Sequence, residues 1–347
     1  MPARHILKTS AIFLAAAARA ASGSDVLAGP DGISVTRFSG NPLITFASSP
    51  GLDECAPKYR SDYPDCPSIN GPSVIRVPEW IEDPLGQYYM YFANHVGDYI
   101  RLAYADSPLG PWTVHEPGTL RLDQVRDLFW DHIASPDVHV DEQRQRILMY
   151  FHAPLAGSES QKTAAAFSED GIQFTPASAV LGRYYFRVFE WRGRFFAIAK
   201  LDNTRWGELY EADSPLGPFS SVGPFIRDMR HAAVYRCEDR LYVFYTRVGD
   251  APERILATVV ELKTDPEGWL AGPPATVLAP EREYEGVRQP VRRSQSGGSY
   301  APEHALRDPY VFVDDGRLYL YYAIAGEQGI AGARLEIPQA MECTNGQ

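Results

Sequence analysis

The sequence predicts an all-β fold, a five-bladed β-propeller whose last blade is closed by an N-terminal strand. The first observation is a short antiparallel unit of strands and turns that recurs five times, at intervals of roughly 45–60 residues. The second is composition, because 20 Tyr and 16 Phe favour strands over helices. The third is an isolated strand at 32–38, which can supply the strand that the fifth unit lacks. Such a ring hides the sheet edges that an open array would expose.

The first two units are predicted from runs of aliphatic and aromatic residues between turn signals. The first unit has strands at 72–77, 87–92 and 99–104, and a fourth near 112–114. The second has strands at 136–140, 146–151 and 163–167. The turn Asp170-Gly171 then leads into the last strand of this unit.

The other three units repeat the pattern with different turns. The third has strands at 186–191 and 194–199 and ends at 212–219, and the fourth has strands at 231–235, 240–245 and 255–260. The fifth has strands at 306–313, 317–322 and 329–335, the first two joined by Asp314-Asp315-Gly316. Between the fourth and fifth units, the stretch 281–300 is long, polar and rich in Gly and Ser, and we expect it to be mobile.

Charge and hydropathy exclude several classes of function. The net charge is −11 and the pI is about 5.2, so a nucleic-acid backbone is not an expected partner. No apolar run approaches the roughly 18 residues that a membrane-spanning helix needs, and no membrane partner is expected. We also expect the protein to be a monomer.

The N-terminus has the features of a secretory signal. Arg4 and Lys8 precede the apolar stretch 11–18, and Ala18-Arg19-Ala20 has the small residues of a cleavage site. We therefore expect residues 1–21 to be a signal peptide and residues 31–340 to form a single propeller domain. The expected location is secreted or periplasmic.

The four cysteines are Cys55, Cys66, Cys237 and Cys343, and they allow three disulfide pairings. Cys55 with Cys66 would staple a polar loop, and Cys237 with Cys343 would then tie the C-terminal tail to a strand. Export permits these disulfides, whereas all four cysteines would be free thiols in a reducing compartment.

Three motifs carry a resemblance to a known family. The stretch 105–112, Ala-Asp-Ser-Pro-Leu-Gly-Pro-Trp, is echoed at 212–219 and resembles the blade-ending motif of five-bladed glycoside hydrolases, closest to family 43 and its arabinanase, xylosidase and sucrose-acting relatives. The stretch 134–138 is similar to that family's Ala-Pro-Asp-Val strand, and Arg307-Asp308-Pro309 is similar to the Arg-Asp-Pro motif of the sucrose-acting relatives. The resemblance spans residues 68–337 and implies a propeller that acts on a glycan.

The chain departs from family 43 at the carboxylates that the family uses for catalysis. The family has an Asp in the first blade, an Asp in the third and a Glu in the fourth. Alignment on Pro and Gly landmarks places Gly71, Tyr185 and His231 at these positions, and only the fifth blade keeps an acid, Asp308. The carboxylate triad therefore does not transfer, and either the catalytic groups have moved or the chemistry differs.

The innermost strand of each blade of a propeller begins at one mouth of the central channel, so the first residues of these strands form a ring. Landmark counting predicts that the ring comprises Asn70/Gly71, Ala134/Ser135, Tyr184/Tyr185, Arg230/His231 and Arg307/Asp308. A second tier at the ends of the next strands comprises Asn94/His95, His152, Lys200, Arg247 and Glu327. Polar groups in such positions are hydrogen-bonded or await a ligand, and the hydroxyls of a sugar suit them.

Three residues are predicted to be catalytic: Asp308, His231 and Glu327. Asp308 is the candidate base or charge stabiliser, and the flanking Arg307 is expected to keep it ionised. Glu327 is the candidate partner acid, because glycoside hydrolysis usually uses two carboxyl groups. His231 lies in the ring and can transfer a proton near neutral pH. The structural alternatives are an Arg–Asp pair between blades and, for Glu327, a solvated loop charge.

The predicted substrate-binding residues are polar or aromatic groups near the mouth: Asn70, His95, His132, Asp137, His152, Tyr185, Arg187, Arg247 and Arg307. Strand alternation turns Asp137 toward the neighbouring blade, which makes a structural role equally compatible. Arg187 and Arg247 are alternatively salt bridges between blades. The histidines lack the tight spacing of a metal motif, so no metal and no cofactor are predicted.

Three functions follow from these residues. The first is a secreted glycoside hydrolase with a carbohydrate substrate in the central funnel. The second is a polysaccharide lyase, in which Arg neutralises a uronate while His or Tyr moves protons. The third is a propeller that binds sugar without catalysis, since one fold hosts many functions.

Overall fold

The protein's structure is a computed structural model, which describes residues 32–49, 51–52, 67–158, 160–201 and 206–338. The predicted signal at 1–21 and the cysteines Cys55, Cys66 and Cys343 lie outside the described residues. Cys237 is disulfide-bonded. No helix among the described residues is long and apolar enough to cross a membrane.

The first three blades are antiparallel sheets of four strands that follow one another along the chain. The first blade comprises β3 (Asn70–Arg76), β4 (Tyr88–Ala93), β5 (Arg101–Ala105) and β6 (Thr113–His115). The second comprises β7 (Ala134–Asp141), β8 (Arg146–Pro154), β9 (Gln161–Ser168) and β10 (Thr175–Arg183). The third comprises β11 (Arg187–Trp191), β12 (Arg194–Lys200), β13 (Trp206–Ala212) and β14 (Ser220–Arg227).

The last two blades complete the ring. The fourth comprises β15 (Met229–Cys237), β16 (Arg240–Arg247), β17 (Ile255–Glu261) and β18 (Ala275–Leu278). The fifth comprises β19 (Leu306–Asp314), β20 (Arg317–Ile324), β21 (Gly329–Glu336) and the N-terminal β1 (Ser34–Arg37). Strand β1 pairs antiparallel with β21 from Ser34 opposite Glu336 to Arg37 opposite Ala333, and the short β2 (Ile44–Thr45) pairs with β21 further along. The predicted five-bladed propeller, closed by an N-terminal strand, is confirmed.

Successive residues of a middle strand of a blade face different neighbouring blades. In β20, Leu318, Leu320 and Tyr322 join the apolar cluster shared with the fourth blade, whereas Tyr319 and Tyr321 join the cluster shared with the first blade. Among the described residues, a cluster of this kind fills each of the five interfaces between blades. Burying one large apolar side chain stabilises the fold by about 1.5–3 kcal/mol. Because both of their faces are buried, the middle strands are nearly continuous runs of apolar residues in the sequence.

The repeated Asp-Ser-Pro-Leu-Gly-Pro motif forms the turn between the third and fourth strands of a blade. Its glycines, Gly110 and Gly217, have φ of 82° and 77°, which a residue with a side chain adopts only at a cost. The hydroxyl of Tyr321, from the preceding blade, donates to the carbonyl oxygen of Pro108 in this turn at 2.6 Å. Tyr150 makes the equivalent contact with the turn of the third blade at 2.7 Å. The motif therefore joins neighbouring blades rather than serving catalysis.

The stretch 281–300 was expected to be mobile, but side chains from three parts of the chain hold it. Arg37 of β1 contacts both carboxylate oxygens of the buried Glu285, at 2.7 and 2.9 Å. The hydroxyl of Tyr322 donates to the same carboxylate at 3.0 Å. Further along, Arg230 donates to the carbonyl oxygen of Gly297 at 3.0 Å. Composition does not reveal these contacts, because the partners are distant in sequence.

Candidate active site

The first residues of the inner strands share a strained backbone at the mouth of the propeller. Gly71, Ser135, Tyr185 and Asp308 occupy equivalent positions in four blades and all have left-handed φ, at 61°, 50°, 68° and 46°. The register of β3, β7, β15 and β19 shifts at the same place. A left-handed residue other than glycine costs on the order of 1–3 kcal/mol, and such strain is concentrated at functional sites.

A cavity lies inside this ring and contains seven of the predicted site residues. Its volume is about 40 Å³, which is room for a few water molecules. A ligand larger than this would therefore lie across the opening instead of entering the cavity. The predicted residues that line the cavity are Asn70, His95, His132, His152, Tyr185, His231 and Asp308. Ala134, Ser135, Gln161 and Tyr184 complete the lining.

Asp308 and His231 are in direct side-chain contact in the wall of the cavity. His231 Nδ1 contacts Asp308 Oδ1, and both side chains are largely buried. Burial and the negative charge of Glu327 raise the pKa of Asp308 to about 7, although Arg307 and Arg230 oppose the shift. Burial and the positive charge of Arg230 hold the pKa of His231 well below its usual value. The contact therefore favours a neutral imidazole beside a carboxyl group that holds its proton to a higher pH than an ordinary Asp.

Arg307 does not keep Asp308 ionised, which corrects the expectation from their adjacency. Its guanidinium donates to three other carboxylates: Glu253 at 3.0 Å, Glu327 at 3.3 Å and Glu303 at 2.7 Å. Neighbouring residues of a strand project to opposite faces, and Arg307 accordingly lies beneath the ring instead of in the cavity wall. It was predicted to bind substrate, but the structure places it among buried ion pairs.

Glu327 is a fully buried carboxylate behind the cavity wall. It accepts a hydrogen bond from Asn70 Nδ2 at 2.7 Å, and its Oε2 lies 3.5 Å from His95 Nδ1. Burial alone would raise the pKa of Glu327, but His95, Arg307 and Asn70 together lower it below its usual value. Glu327 is thus ionised, whereas Asp308 holds its proton to a higher pH than an ordinary Asp.

Tyr185 is sandwiched between two functional side chains. The Arg187 guanidinium carbon lies 4.3 Å from the centre of the Tyr185 ring, and the His231 ring stacks against Tyr185 at 4.4 Å. Arg187 also donates to the carbonyl oxygens of Ala232 at 3.0 Å and Pro136 at 3.3 Å, so it joins three blades. This stack fixes the orientation of the imidazole that contacts Asp308.

Five polar atoms of cavity-lining residues have no hydrogen bond of normal geometry among the described residues: Asn70 Oδ1, His152 Nδ1, the Tyr185 hydroxyl, and the contacting atoms His231 Nδ1 and Asp308 Oδ1. Burial, with the nearby His132 and His95, holds the pKa of His152 well below its usual value. A buried polar group without a partner is costly, so these atoms are suited to the hydroxyl groups of a ligand.

The remaining predicted residues have different environments. His132 lines the cavity and is held by Asp131, 2.8 Å from its Nδ1. Asp137 lies between the second and third blades, where it accepts from the Val188 amide at 2.8 Å and contacts His139 at 3.0 Å. Arg247 is outside the cavity lining, with a guanidinium nitrogen 3.5 Å from the Tyr245 hydroxyl. No group of three or more His, Cys, Asp or Glu is arranged to hold a metal in the described part of the chain.

Sequence reasoning did not assign the buried acid Glu253 to the site. Glu253 contacts Arg230 at 2.8 Å and Arg307 at 3.0 Å, and burial raises its pKa despite these two cations. A signal was available, because Glu253 and Glu327 each lie two residues before the third strand of their blade. Gln161, at the start of β9, carried no such signal.

No protein-family model matches the chain. Over 330 residues it is 35% identical to the uncharacterized protein R118 of Acanthamoeba polyphaga mimivirus, covering 87% of this chain and 90% of the viral protein. The chain belongs to the same family as this viral protein. Membership of the R118 family does not by itself assign an activity.

Solved structures confirm the predicted resemblance at the level of fold. A thermostable family-43 glycoside hydrolase has a TM-score of 0.55 at 15% identity, covering 78% of this chain and 89% of its own. A family-43 enzyme of Xanthomonas citri has a TM-score of 0.52 at 12% identity, covering 78% and 87%. A member of glycoside hydrolase family 130, which contains hydrolases of β-1,2 mannosidic linkages in Candida mannan, has a TM-score of 0.58 at 11% identity, covering 88% and 94%. At these identities the similarity shows a common propeller fold.

Proposed function

We propose that the protein is a glycoside hydrolase acting on a glycan or oligosaccharide bound at the mouth of the propeller. The observation that carries the proposal is a pair of buried carboxyl groups at the mouth: Asp308 in the cavity wall against His231, and Glu327 behind it, held by Asn70 and facing His95. Burial and Glu327 raise the pKa of Asp308 to about 7, whereas His95 and Arg307 lower the pKa of Glu327. Glycoside hydrolysis needs one carboxyl group that donates a proton and one charged group that assists attack.

Asp308 serves as the general acid. Its carboxyl group lines the cavity, and below about pH 7 it carries the proton that the leaving glycosidic oxygen requires. His231, fixed by the ring of Tyr185, holds this carboxyl group in place and stabilises the carboxylate that forms. Proton donation by a positioned acid typically accelerates such a step about 10²–10⁴-fold.

Glu327 assists the attack of water through its contact with His95. His95 lines the cavity with Nδ1 facing Glu327, and in this step a neutral His95 takes a proton from a water molecule through Nε2. Glu327 then stabilises the imidazolium that forms, which is the same attraction that lowers the pKa of Glu327. The water oxygen then bonds to the anomeric carbon as the bond to the leaving oxygen breaks, and Asp308 protonates that oxygen. Each carboxylate thus acts in a pair with a histidine, which accounts for the absence of the family-43 triad.

The test is release of reducing sugar from a panel of purified oligosaccharides. We expect release from at least one member and a loss of about 10²-fold or more in kcat for Asp308→Asn. Asp315→Asn is the matched control, because Asp315 is in the same blade but 70% exposed in the turn away from the mouth. Binding without turnover on every member would favour a sugar-binding propeller and reject the proposal.

One observation favours a second candidate, a polysaccharide lyase. Among the described residues, Asp308 is the only carboxylate in the cavity lining, beside four histidines and two tyrosines. The Tyr185 hydroxyl is without a hydrogen-bond partner there and can move a proton. A rise in ultraviolet absorbance from an unsaturated product on uronic-acid polymers would identify a lyase, and reducing sugar without that rise would identify a hydrolase.

Export is part of the proposal. The predicted signal at 1–21 and the disulfide at Cys237 both suit a secreted or periplasmic protein. We expect the mature protein from a secreting host to begin near residue 21. Recovery of the chain from the cytoplasm with Met1 intact would contradict export.

A further inference from the structure

A segment that we call the strap, residues 294–300, runs along the mouth of the propeller. At the fourth blade, the Gly249 amide donates to the carbonyl oxygen of Ser294 at 3.1 Å. The buried Arg230, next to His231 in sequence, donates to the carbonyl oxygen of Gly297 at 3.0 Å. These bonds fix the first half of the strap above the fourth blade.

The second half of the strap crosses the fifth blade and reaches the first. Gln328 Nε2 donates to the carbonyl oxygen of Ser299 at 3.1 Å. The Tyr300 ring then meets His95 edge-on, with 6.1 Å between ring centres. Gly298 lies so close that a Cβ there would be 2.8 Å from His95 Cγ. The strap therefore borders the mouth on the side where the fourth, fifth and first blades supply His231, Asp308 and Asn70.

The opposite side of the mouth, formed by the second and third blades, presents exposed aromatic surface. Trp130 is 43% exposed, and its indole N–H donates to the carbonyl oxygen of Ser158 at 3.2 Å. Trp206, the first residue of β13, is 39% exposed. Tyr184 lines the cavity on this same side. Exposed aromatic faces of this kind suit the apolar faces of sugar rings.

We infer that the enzyme acts at the non-reducing ends of glycan chains. The terminal sugar lies against Asp308 on the strap side, and the rest of the chain leaves across the second and third blades, over Trp130 and Trp206. The strap prevents a chain from continuing past Asp308, so an internal linkage cannot reach the acid. This inference rests on the proposed hydrolase and adds the direction in which the substrate lies.

The test uses the full-length protein and an oligosaccharide labelled at its reducing end, chosen from the panel as the best substrate. We expect every early time point to contain one short product of fixed size and labelled chains shortened by that unit. Early products of mixed length, with internal cleavage, would overturn the inference while leaving the hydrolase proposal intact. If no member of the panel is cleaved, the hydrolase proposal fails and the inference fails with it.

Two variants test the path of the chain. For Trp130→Ala and Trp206→Ala, we expect the ratio of kcat/KM on a long oligosaccharide to kcat/KM on the aryl glycoside of the released sugar to fall about two- to tenfold. Leu270→Ala is the control, because Leu270 is an exposed apolar residue at 79% that lies outside the site. An unchanged ratio in both tryptophan variants would contradict the proposed path.

Discussion

At the residue scale, the function depends on how burial and neighbours set the charge of single carboxyl groups. Asp308 was predicted from a short motif, and its place in the ring agrees with the prediction. Its protonation was predicted wrongly, because sequence adjacency to Arg307 was taken as contact. Alternation along β19 instead turns Arg307 toward Glu253, Glu303 and Glu327. Partners that are distant in sequence decide such charges, and a single sequence does not reveal them.

The raised pKa of Asp308 has a consequence for stability. A pKa raised from 3.8 to about 7 means that the folded protein loses stability as the pH rises from about 4 to 7. Asp308→Asn removes this titration, so its melting temperature should exceed that of the wild type by about 2–4 °C at pH 8. Near pH 4 the difference should vanish.

Thermal unfolding of both proteins at the two pH values measures this effect, with Asp315→Asn as the exposed control. The control should follow the wild type at each pH. A loss of stability in Asp308→Asn that is equal at both pH values would contradict the raised pKa.

Two of the three acids that contact Arg307, Glu327 and Glu303, should differ in their effect on stability. Glu327 is fully buried, whereas the Glu303 side chain is 42% exposed. Glu327→Gln should lower the free energy of unfolding by about 3 kcal/mol, because it removes a fully buried carboxylate from the charge of the buried Arg307. Glu303→Gln should cost about 1 kcal/mol or less, because solvent screens that pair. Denaturant unfolding measures both, and equal losses would contradict the assigned burial.

At the element scale, the second strands of the blades were predicted well, and the strands at the outer edges were predicted poorly. The runs at 87–92, 146–151 and 317–322 lie within one residue of β4, within β8 and within β20, because burial on both faces makes them continuously apolar. Strands β13, β14 and β18 were not assigned. Much of β14 is exposed, so its residues Ser220–Arg227 have no apolar period to detect. The isolated strand near Val35 was assigned to the fifth blade because the fifth unit has only three strands of its own.

Strand β1, which closes the ring, is held by an ion pair as well as by its pairing with β21. Arg37 of β1 is bonded to Glu285, whose side chain is fully buried. Arg37→Gln should lower the free energy of unfolding by about 3 kcal/mol, because Glu285 loses its cation. Arg76→Gln is the matched control: its side chain is 49% exposed and it bonds Asp314, so a loss of about 1 kcal/mol or less is expected. Similar losses from denaturant unfolding would reject the role of Arg37 in closure.

At the scale of the whole molecule, the repeats predicted both the architecture and the positions that form the mouth. Counting from Pro and Gly landmarks located the ring because four of the five inner strands begin with the same shift of register. The bonds that give the ring its chemistry cross between blades. Asn70 and Glu327, for example, are 257 residues apart. Such pairs exist only once the ring is closed, so the charges, the strap and the accessible side of the mouth became visible only in the structure.

The central claim is that Asp308, with its pKa near 7, is the acid of a glycoside hydrolase. The most direct measurement is kcat against pH for the wild type and Asp308→Asn on the best oligosaccharide substrate. Wild-type kcat should fall as the pH rises through about 7, and Asp308→Asn should be slower by about 10²-fold or more below that pH. Wild-type turnover by Asp308→Asn, with the same dependence on pH, would contradict the claim.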